Sequence, residues 1–125
     1  MLIHETGVIY NDLKLDNIMI GDHQSSPQTL HQIKLIDFGL VTDYRDQDRN
    51  HLAMTDVEFV GNLAFCSKNA INYKRVSRRD DLISLTYIIL YLHKGRLDFL
   101  QNLSEDKFKS IQLNKNKATP KSLCG

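Results

Sequence analysis

The sequence predicts an α+β chain that is mainly helical and carries one short β-hairpin. Two short apolar runs, "IMI" at 18–20 and "IKLI" at 33–36, have the length and composition of strands. The segment between them, residues 21–32, is rich in polar and turn-forming residues and predicts a hairpin loop. Further along, helix start and stop signals enclose a long apolar stretch at 82–92, which predicts one central helix.

The central helix is predicted from its two ends and from its apolar middle. Ser77 can cap its start, and Asp80 lies where an acidic side chain suits the exposed amides of the first turn. Gly95 supplies a stop. Residues 82–92 are apolar on nearly every face, and such a helix requires cover on all sides. We therefore expect it to be the centre of a larger structure than this chain obviously provides.

Irregular structure is expected before this helix and further helices after it. Residues 38–76 lack sustained periodicity, and irregular stretches of that length are usually functional or mobile. Residues 104–117 predict an amphipathic surface helix, and Thr119 and Pro120 resemble the cap and first turn of another. The apolar positions of the surface helix that we expect to face inward are Phe108, Ile111 and Leu113.

Composition limits the classes of function. The chain has 125 residues, 42% hydrophobic and 25% charged, which is ordinary for one soluble globular domain. A formal net charge of +1 creates no global field that would favour nucleic acid or an anionic membrane. The longest apolar run is shorter than the roughly 20 residues that span a bilayer. We therefore expect neither a nucleic acid nor a membrane as partner, and the oligomeric state stays open.

The cysteine content indicates a reducing location. Cys66 and Cys124 are the only cysteines, and neither belongs to a CxxC or Cys/His pattern. A disulfide framework or a zinc site is therefore not expected. With no targeting signal in the sequence, we expect a cytoplasmic or nuclear protein.

Charge clusters just before the central helix. Four basic residues are followed at once by two acidic ones: Lys74, Arg75, Arg78, Arg79, Asp80 and Asp81. This pattern is typical of a solvated or internally paired face, and a dedicated anion site is the alternative. His4 and His93 are isolated in the sequence, so we expect packing or surface roles for them.

Two short motifs carry the chemistry, "DLKLDN" at 12–17 and "LIDFGL" at 35–40. Each borders an apolar strand run, and a hairpin-sized gap separates them. Phosphoryl transfer requires a carboxylate that orients the attacking hydroxyl, a positive charge on the phosphate oxygens, and groups that hold magnesium. Either motif alone is a weak signal, but both in this order are a specific pair. The alternative from the residues alone is a hairpin with charged ends and an Asp-Phe-Gly turn.

The side chains of the two motifs suit these roles. Asp12 would be the catalytic base, and Lys14 would reach the reacting phosphate from the same side. Asn17 and Asp37 would supply the oxygen ligands that Mg²⁺ prefers. Gly39 would permit the backbone turn that directs Asp37 inward. The expected metal is therefore Mg²⁺.

The chain resembles the C-terminal lobe of a eukaryotic protein kinase of the casein kinase 1 family. "VIYNDLKLDNIMIG" at 8–21 resembles the catalytic loop, and "IKLIDFGLVTDYRD" at 33–46 resembles the magnesium-binding segment. "VGNLAFCSKNAI" at 60–71 is similar to the end of the activation segment. "SRRDDLISLTYIILYLHKGRLDF" at 77–99 is the closest match and resembles the central helix. The tail at 107–125 is similar to the helix and Thr-Pro turn that follow.

The resemblance implies a fold and a function. The fold would be protein kinase-like: an incomplete, mainly helical C-lobe whose short hairpin carries the catalytic and Asp-Phe-Gly motifs. Residues 1–125 would be a partial kinase domain that lacks the N-lobe and the final helices. The parent domain would transfer the ATP γ-phosphoryl group to serine or threonine hydroxyls of protein substrates, and the isolated chain would be inactive. The alternative is a catalytically incomplete fragment that acts as a binding module.

The resemblance also assigns supporting residues and exposes departures from the family pattern. Asp81 matches the central-helix aspartate that caps the backbone of the catalytic loop, although an ordinary first-turn acid is the alternative. Asn62 occupies the place of a threonine, and its amide could still hydrogen-bond Asp12. Tyr10 and Asn11 stand where the family has His-Arg, so the arginine that clamps the activation segment is missing.

A further departure concerns the substrate. Ala64 replaces an arginine that helps to bind phosphorylated or acidic substrates in this family. The resemblance therefore does not extend to that substrate preference.

Overall fold

A computed structural model describes residues 1–21 and 31–125. Mostly short helices and two small antiparallel sheets make up these residues, consistent with the predicted α+β class. The helices are α1 (Leu2–Glu5), α2 (Lys68–Ile71), α3 (Arg78–Lys94), α4 (Lys107–Lys117) and α5 (Pro120–Cys124). The strands are β1 (Val8–Ile9), β2 (Ile18–Ile20), β3 (Ile33–Leu35) and β4 (Thr42–Asp43). Single 3-10 turns occupy Leu15–Asn17 and Asp98–Leu100.

The predicted hairpin is present as the antiparallel pair β2–β3, in which Ile18 lies opposite Leu35. The first strand has the predicted bounds. The second was predicted one residue too long, because Ile36 lies beyond β3, although its amide still donates to the Asn17 carbonyl at 3.0 Å. Most of the predicted loop at 21–32 lies outside the described residues.

A second small sheet, β1–β4, was not predicted. It places Val8 opposite Asp43 and Ile9 opposite Thr42. Strands of two residues are too short to produce a detectable period of two in the sequence. This sheet attaches the segment after the Asp-Phe-Gly motif to the residues that lead into the catalytic loop.

The predicted ends of the central helix are confirmed in α3. Ser77 occupies the N-cap position, and its amide donates to the Asp80 carboxylate at 2.8 Å. Gly95 ends the helix with φ of 72°, in the left-handed region where glycine has no Cβ penalty. None of the helices formed by residues 1–21 and 31–125 is long and apolar enough to cross a membrane.

Among the described residues, α3 is covered on one side and exposed on the other. Tyr87 and Ile88 are buried in the main core. The other buried members of that core are Tyr10, Leu13, Phe65, Leu97 and Phe99. Leu82, Ile89 and Leu92 remain exposed. The all-round cover that the apolar sequence of this helix requires is therefore incomplete within these residues.

The predicted surface helix is α4, and its inward face differs from the prediction at one position. Ile111 is buried and Phe108 is half-buried, as expected. The prediction for Leu113 was wrong, since 51% of it is exposed. Residues two positions apart in an α-helix differ by about 200° around the helix axis, so Leu113 and Ile111 cannot share a face. Lys115, four residues after Ile111, takes the inward position instead.

Lys115 is fully buried and links α4 to the segment before α2. Its Nζ donates to the Cys66 carbonyl at 2.6 Å and lies 4.8 Å and 5.2 Å from the ring centres of Phe99 and Tyr87. Burial lowers the pKa of Lys115 and raises the pKa of the Cys66 thiol, because each charged form loses hydration. Polar neighbours surround Lys115 in the sequence, so no pattern marks it as a core residue.

The neighbouring isoleucines of α3 provide a matched test of this packing. Ile88 is 2% exposed and Ile89 is 57% exposed. We expect Ile88→Ala to lower the free energy of unfolding by about 2–4 kcal/mol, because it leaves a cavity in the main core. Ile89→Ala should change it by less than about 0.5 kcal/mol. Urea unfolding followed by circular dichroism measures both, and equal losses would contradict the assigned orientation of α3.

Candidate active site

The catalytic loop, residues 10–17, is attached to α3 through one buried carboxylate. The backbone amides of Tyr10 and Asn11 donate to Asp81 at 2.7 Å and 2.9 Å, one to each oxygen. Asn11 has φ of 67°, a left-handed conformation that asparagine tolerates better than most residues. These are the contacts that the resemblance implies for Asp81, and they give the loop a fixed starting conformation.

His4 completes the surroundings of this carboxylate. It is buried, and its Nε2 lies 2.8 Å from Asp81 Oδ2. Its carbonyl accepts a hydrogen bond from the Tyr44 hydroxyl at 2.8 Å. His4 therefore packs inside, one of the two roles expected for it, but its contact with a residue 77 positions away leaves no signal in the sequence. His93 is exposed.

Asp12 is the centre of the polar cluster. It is 5% exposed, and its Oδ2 lies 2.9 Å from Lys14 Nζ and 3.0 Å from Asn17 Nδ2. The same Asn17 amide group donates to the Asp12 carbonyl at 3.0 Å. The hydrogen bond to Asp12 raises the pKa of Lys14, so the ammonium keeps its proton. Three of the predicted site residues are therefore in direct contact.

Asn62, which is 50 residues from Asp12 in the sequence, contacts the other oxygen of its carboxylate. Its Nδ2 donates to Asp12 Oδ1 at 3.2 Å and to the Leu13 carbonyl at 3.0 Å, and its Oδ1 accepts from the Phe65 amide at 2.8 Å. The expected contact with Asp12 is thus present. The preceding Gly61 has φ of 108°, and a Cβ there would lie 2.4 Å from the Asn11 carbonyl oxygen, so only glycine fits.

Asp37 lies at the end of the hairpin and is exposed. The prediction that Gly39 permits the turn by its backbone freedom was wrong, because the left-handed residue is Asp37 itself, with φ of 59°. Gly39 matters for space instead. Its amide donates to Asp37 Oδ1 at 3.2 Å, and a Cβ at Gly39 would approach the same oxygen to 3.2 Å.

The hairpin and the catalytic loop lie side by side. The Tyr10 hydroxyl donates to the Ile36 carbonyl, and the Tyr10 ring meets Phe38 edge-on with centres 5.5 Å apart. Burial, followed by the nearby carboxylates of Asp12 and Asp37, raises the pKa of the Tyr10 phenol. Tyr10 therefore connects the two predicted motifs.

The segment after Asp37 is held by Asn11. Asn11 Nδ2 donates to the Leu40 carbonyl at 2.7 Å and to Thr42 Oγ1 at 2.8 Å. From the sequence, Asn11 was interpreted only as the loss of an arginine clamp. The structure shows that its short amide makes a neutral contact with the start of that segment.

The oxygen donors of Asn17 and Asp37 fit a magnesium ion. Asn17 commits its amide nitrogen to Asp12, which leaves its carbonyl oxygen as the available ligand atom. Asp37 adds an exposed carboxylate, and both are oxygen donors of the kind that magnesium prefers. Across residues 1–21 and 31–125, no group of three or more His, Cys, Asp or Glu residues could hold a metal ion. The fit to magnesium therefore depends on these two oxygen donors.

The family model for the protein kinase domain matches residues 1–122. The chain belongs to this family. It is similar to casein kinase I homolog 2 of Schizosaccharomyces pombe (strain 972 / ATCC 24843), with 30% identity over 98% of the chain and 29% of that protein. It is 31% identical to casein kinase I homolog 1 of the same organism, over 98% of the chain and 28% of that protein.

A third relative supports the same assignment. A probable casein kinase I homolog of Encephalitozoon cuniculi (strain GB-M1) is 34% identical over 79% of the chain and 29% of that protein. The resemblance to casein kinase 1 is therefore confirmed, and this chain is a casein kinase 1-like member of the protein kinase family. It spans less than a third of the length of these curated relatives.

Three features of this kinase-family chain were missed from its sequence: the His4–Asp81 contact, the Asn11 contact with the segment after Asp37, and the burial of Lys115. Each joins residues at least 29 positions apart. Periodicity and short motifs report only local relationships. A charged or amide side chain among polar neighbours gives no indication of a distant partner.

Asn62 offers a test of how Asp12 is positioned. We expect Asn62→Leu, similar in size, to lower the free energy of unfolding by about 1–3 kcal/mol, because the Phe65 amide and the Leu13 carbonyl lose their partner. Hydrogen exchange of the Phe65 amide should accelerate more than exchange in the middle of α4. Asn50→Leu, at an exposed position, is the control. Unchanged Phe65 exchange in Asn62→Leu would contradict the bridging role.

Proposed function

We propose that these residues are part of a serine/threonine protein kinase of the casein kinase 1 type. The reaction would transfer the ATP γ-phosphoryl group to hydroxyls of protein substrates. The carrying observation is the cluster in which Lys14, Asn17 and Asn62 all contact the Asp12 carboxylate. A carboxylate held on both oxygens in a loop of fixed conformation can orient a hydroxyl, and orientation is a large part of phosphoryl-transfer catalysis.

In this proposal Asp12 is the base and Lys14 provides the positive charge. Asp12 would accept the proton of the attacking hydroxyl while its second oxygen stays bonded to Asn62. The Lys14 ammonium, 2.9 Å from Asp12, would lie beside the transferred phosphoryl group and stabilise its charge. Asn17 and Asp37 would hold magnesium, whose contribution when bound is neutralisation of charge on the phosphates.

Exposed apolar residues that neighbour this polar set in the sequence support ATP as the phosphoryl donor. Met19, Ile36 and Phe38 are exposed. Met19 is two residues from Asn17, and Ile36 and Phe38 flank Asp37 along the chain. A purine base is a flat, largely apolar group that packs on such side chains. Covering them would also remove apolar area from water.

We also propose that residues 1–125 are the C-lobe segment of a larger kinase domain. The short span relative to the curated relatives supports this, as does the exposed apolar face of α3 at Leu82, Ile89 and Leu92. A kinase domain also uses a glycine-rich loop and a lysine on an N-lobe strand to position the phosphates. Residues 1–125 contain no G-x-G-x-x-G sequence. The isolated chain should therefore show little or no phosphoryl transfer.

The test is a kinase assay on the longest natural product that contains residues 1–125, with Mg·ATP and a mixed protein substrate. Asp12→Asn should reduce the rate by about 10²–10⁴-fold because the base is lost. Asp37→Asn should reduce it by at least about 10²-fold because a magnesium ligand is lost. Asp16→Asn, which changes an exposed carboxylate of the same loop, is the matched control and should stay within about twofold.

The products and the isolated chain give independent checks. Phosphoamino-acid analysis should find phosphoserine and phosphothreonine. Phosphotyrosine as the main product would contradict the proposed specificity, and activity that survives Asp37→Asn would contradict the proposed site. An inactive natural product that still bound protein partners would favour the binding-module alternative.

A further inference from the structure

A second polar site lies apart from the catalytic cluster. A cavity of about 550 Å³ opens between α1, the segment 44–51 and the first turn of α3. Its charged and imidazole side chains are Arg45, Arg78, Arg79, His4, His51 and Glu5. We call it the arginine cavity. Three arginines and one glutamate line the cavity, so the lining carries an excess of positive charge.

Two of these arginines are held against one aromatic ring. Tyr44 is buried, and the guanidinium carbons of Arg45 and Arg78 lie 4.9 Å and 5.0 Å from its ring centre. The Tyr44 hydroxyl is fixed by its hydrogen bond to the His4 carbonyl. Cation–π attraction stabilises both arginines, and it holds two positive charges near each other.

His51 further restricts Arg78. Its ring centre lies 5.2 Å from that of Tyr44, and Arg78 Nη2 lies 3.2 Å from His51 Nε2. Within the described part of the chain, neither Arg45 nor Arg78 has a carboxylate oxygen within 4.0 Å. Both guanidinium groups therefore lie against Tyr44 without a carboxylate partner among the described residues.

The other basic residues before α3 behave differently. Lys74 pairs with Asp56 at 2.5 Å, Arg79 lies 3.7 Å from Asp80, and Arg75 Nε donates to Thr55 Oγ1 at 3.2 Å. The internally paired face considered for this cluster therefore accounts for two of its four members, Lys74 and Arg79. Arg75 and Arg78 each contact a neutral or imidazole side chain instead, and of these two only Arg78 lines the arginine cavity.

We propose that the arginine cavity binds the phosphate of a phosphorylated serine or threonine side chain in a protein partner. Planar guanidinium groups bind phosphate oxygens with paired hydrogen bonds, and two of them match the charge of a phosphate dianion. Because Tyr44 and His51 already order Arg45 and Arg78, binding would cost little side-chain entropy. The site is separate from Asp12 and Asp37, so this proposal does not depend on the proposed kinase activity.

The charge distribution favours a phosphorylated side chain over nucleic acid or a membrane. Nucleic acids and anionic membranes are usually bound through basic surfaces that contact many phosphates. Here the formal net charge is only +1, and the three arginines of the cavity line one small site. A single phosphate group fits such a site.

The test uses the purified 125-residue chain and a fluorescent Gly-Ala-phosphoserine-Ala-Gly peptide, followed by fluorescence polarisation. The unphosphorylated peptide should bind at least about tenfold more weakly, because it lacks the charge-assisted hydrogen bonds. Arg78→Gln and Arg45→Gln should each weaken binding of the phosphopeptide by about tenfold. Arg78→Lys should recover only part of the loss, because lysine lacks the planar pair of donors. Arg75→Gln, from the same basic cluster, is the matched control and should leave binding within about twofold.

Several results would overturn the proposal. Equal binding of the two peptides, or an equal loss in Arg75→Gln, would show that the cavity does not recognise phosphate. Binding confined to phosphoinositide vesicles or to RNA would assign the cavity to a different partner. Amide NMR spectra verify that each variant is folded and should show phosphopeptide-induced shifts at Arg45, His51 and Arg78. If Arg45→Gln unfolds, the Arg78 variants decide, since Arg78 is exposed and its removal leaves the core intact.

Discussion

The buried carboxylate of Asp81 is the constraint on which the candidate active site depends. It accepts two consecutive backbone amides, those of Tyr10 and Asn11, and it contacts the buried His4. Asn11 occupies a left-handed conformation, which is kept only when the surroundings stabilise it. Because Asp12 follows Asn11 directly, the central helix determines how the proposed base enters the site.

The remaining support for Asp12 comes from residues after the Asp-Phe-Gly motif. Asn62 bonds the carboxylate of Asp12, and the close approach at Gly61 brings its backbone against the catalytic loop. A few residues later, Cys66 is anchored to α4 through the buried Lys115. Two helices that carry no proposed catalytic residue, α3 and α4, therefore fix the segments on either side of Asp12. A buried polar group in low-dielectric surroundings requires a hydrogen-bond partner. Because hydrogen bonds are stronger there than in water, each such pair restrains the positions of both groups.

Local signals predicted the parts of the structure that depend on local physics. The ends of α3 follow from Ser77 and Gly95, and the hairpin strands follow from short apolar runs, so both were found within one residue. The contact of Asn62 with Asp12 was expected only through a family resemblance. The inward position of Lys115 was missed, since its hydrogen-bond partner Cys66 is 49 residues away and its sequence neighbours are polar. The left-handed conformation of Asp37, where a turn at Gly39 was predicted, was also missed, because a positive φ cannot be inferred from residue types alone.

The most direct test of this account is the hydrogen-exchange rate of the Tyr10 and Asn11 amides in Asp81→Asn, measured by NMR. Asparagine keeps the size but offers only one acceptor oxygen, so at least one amide loses its partner. We predict that exchange at these two amides accelerates more than exchange in the middle of α4. The control variant Asp98→Asn changes an exposed carboxylate and should leave both amides nearly unchanged. Unchanged protection of both amides in a folded Asp81→Asn variant would show that the catalytic loop holds its conformation without the Asp81 carboxylate, and would contradict the account.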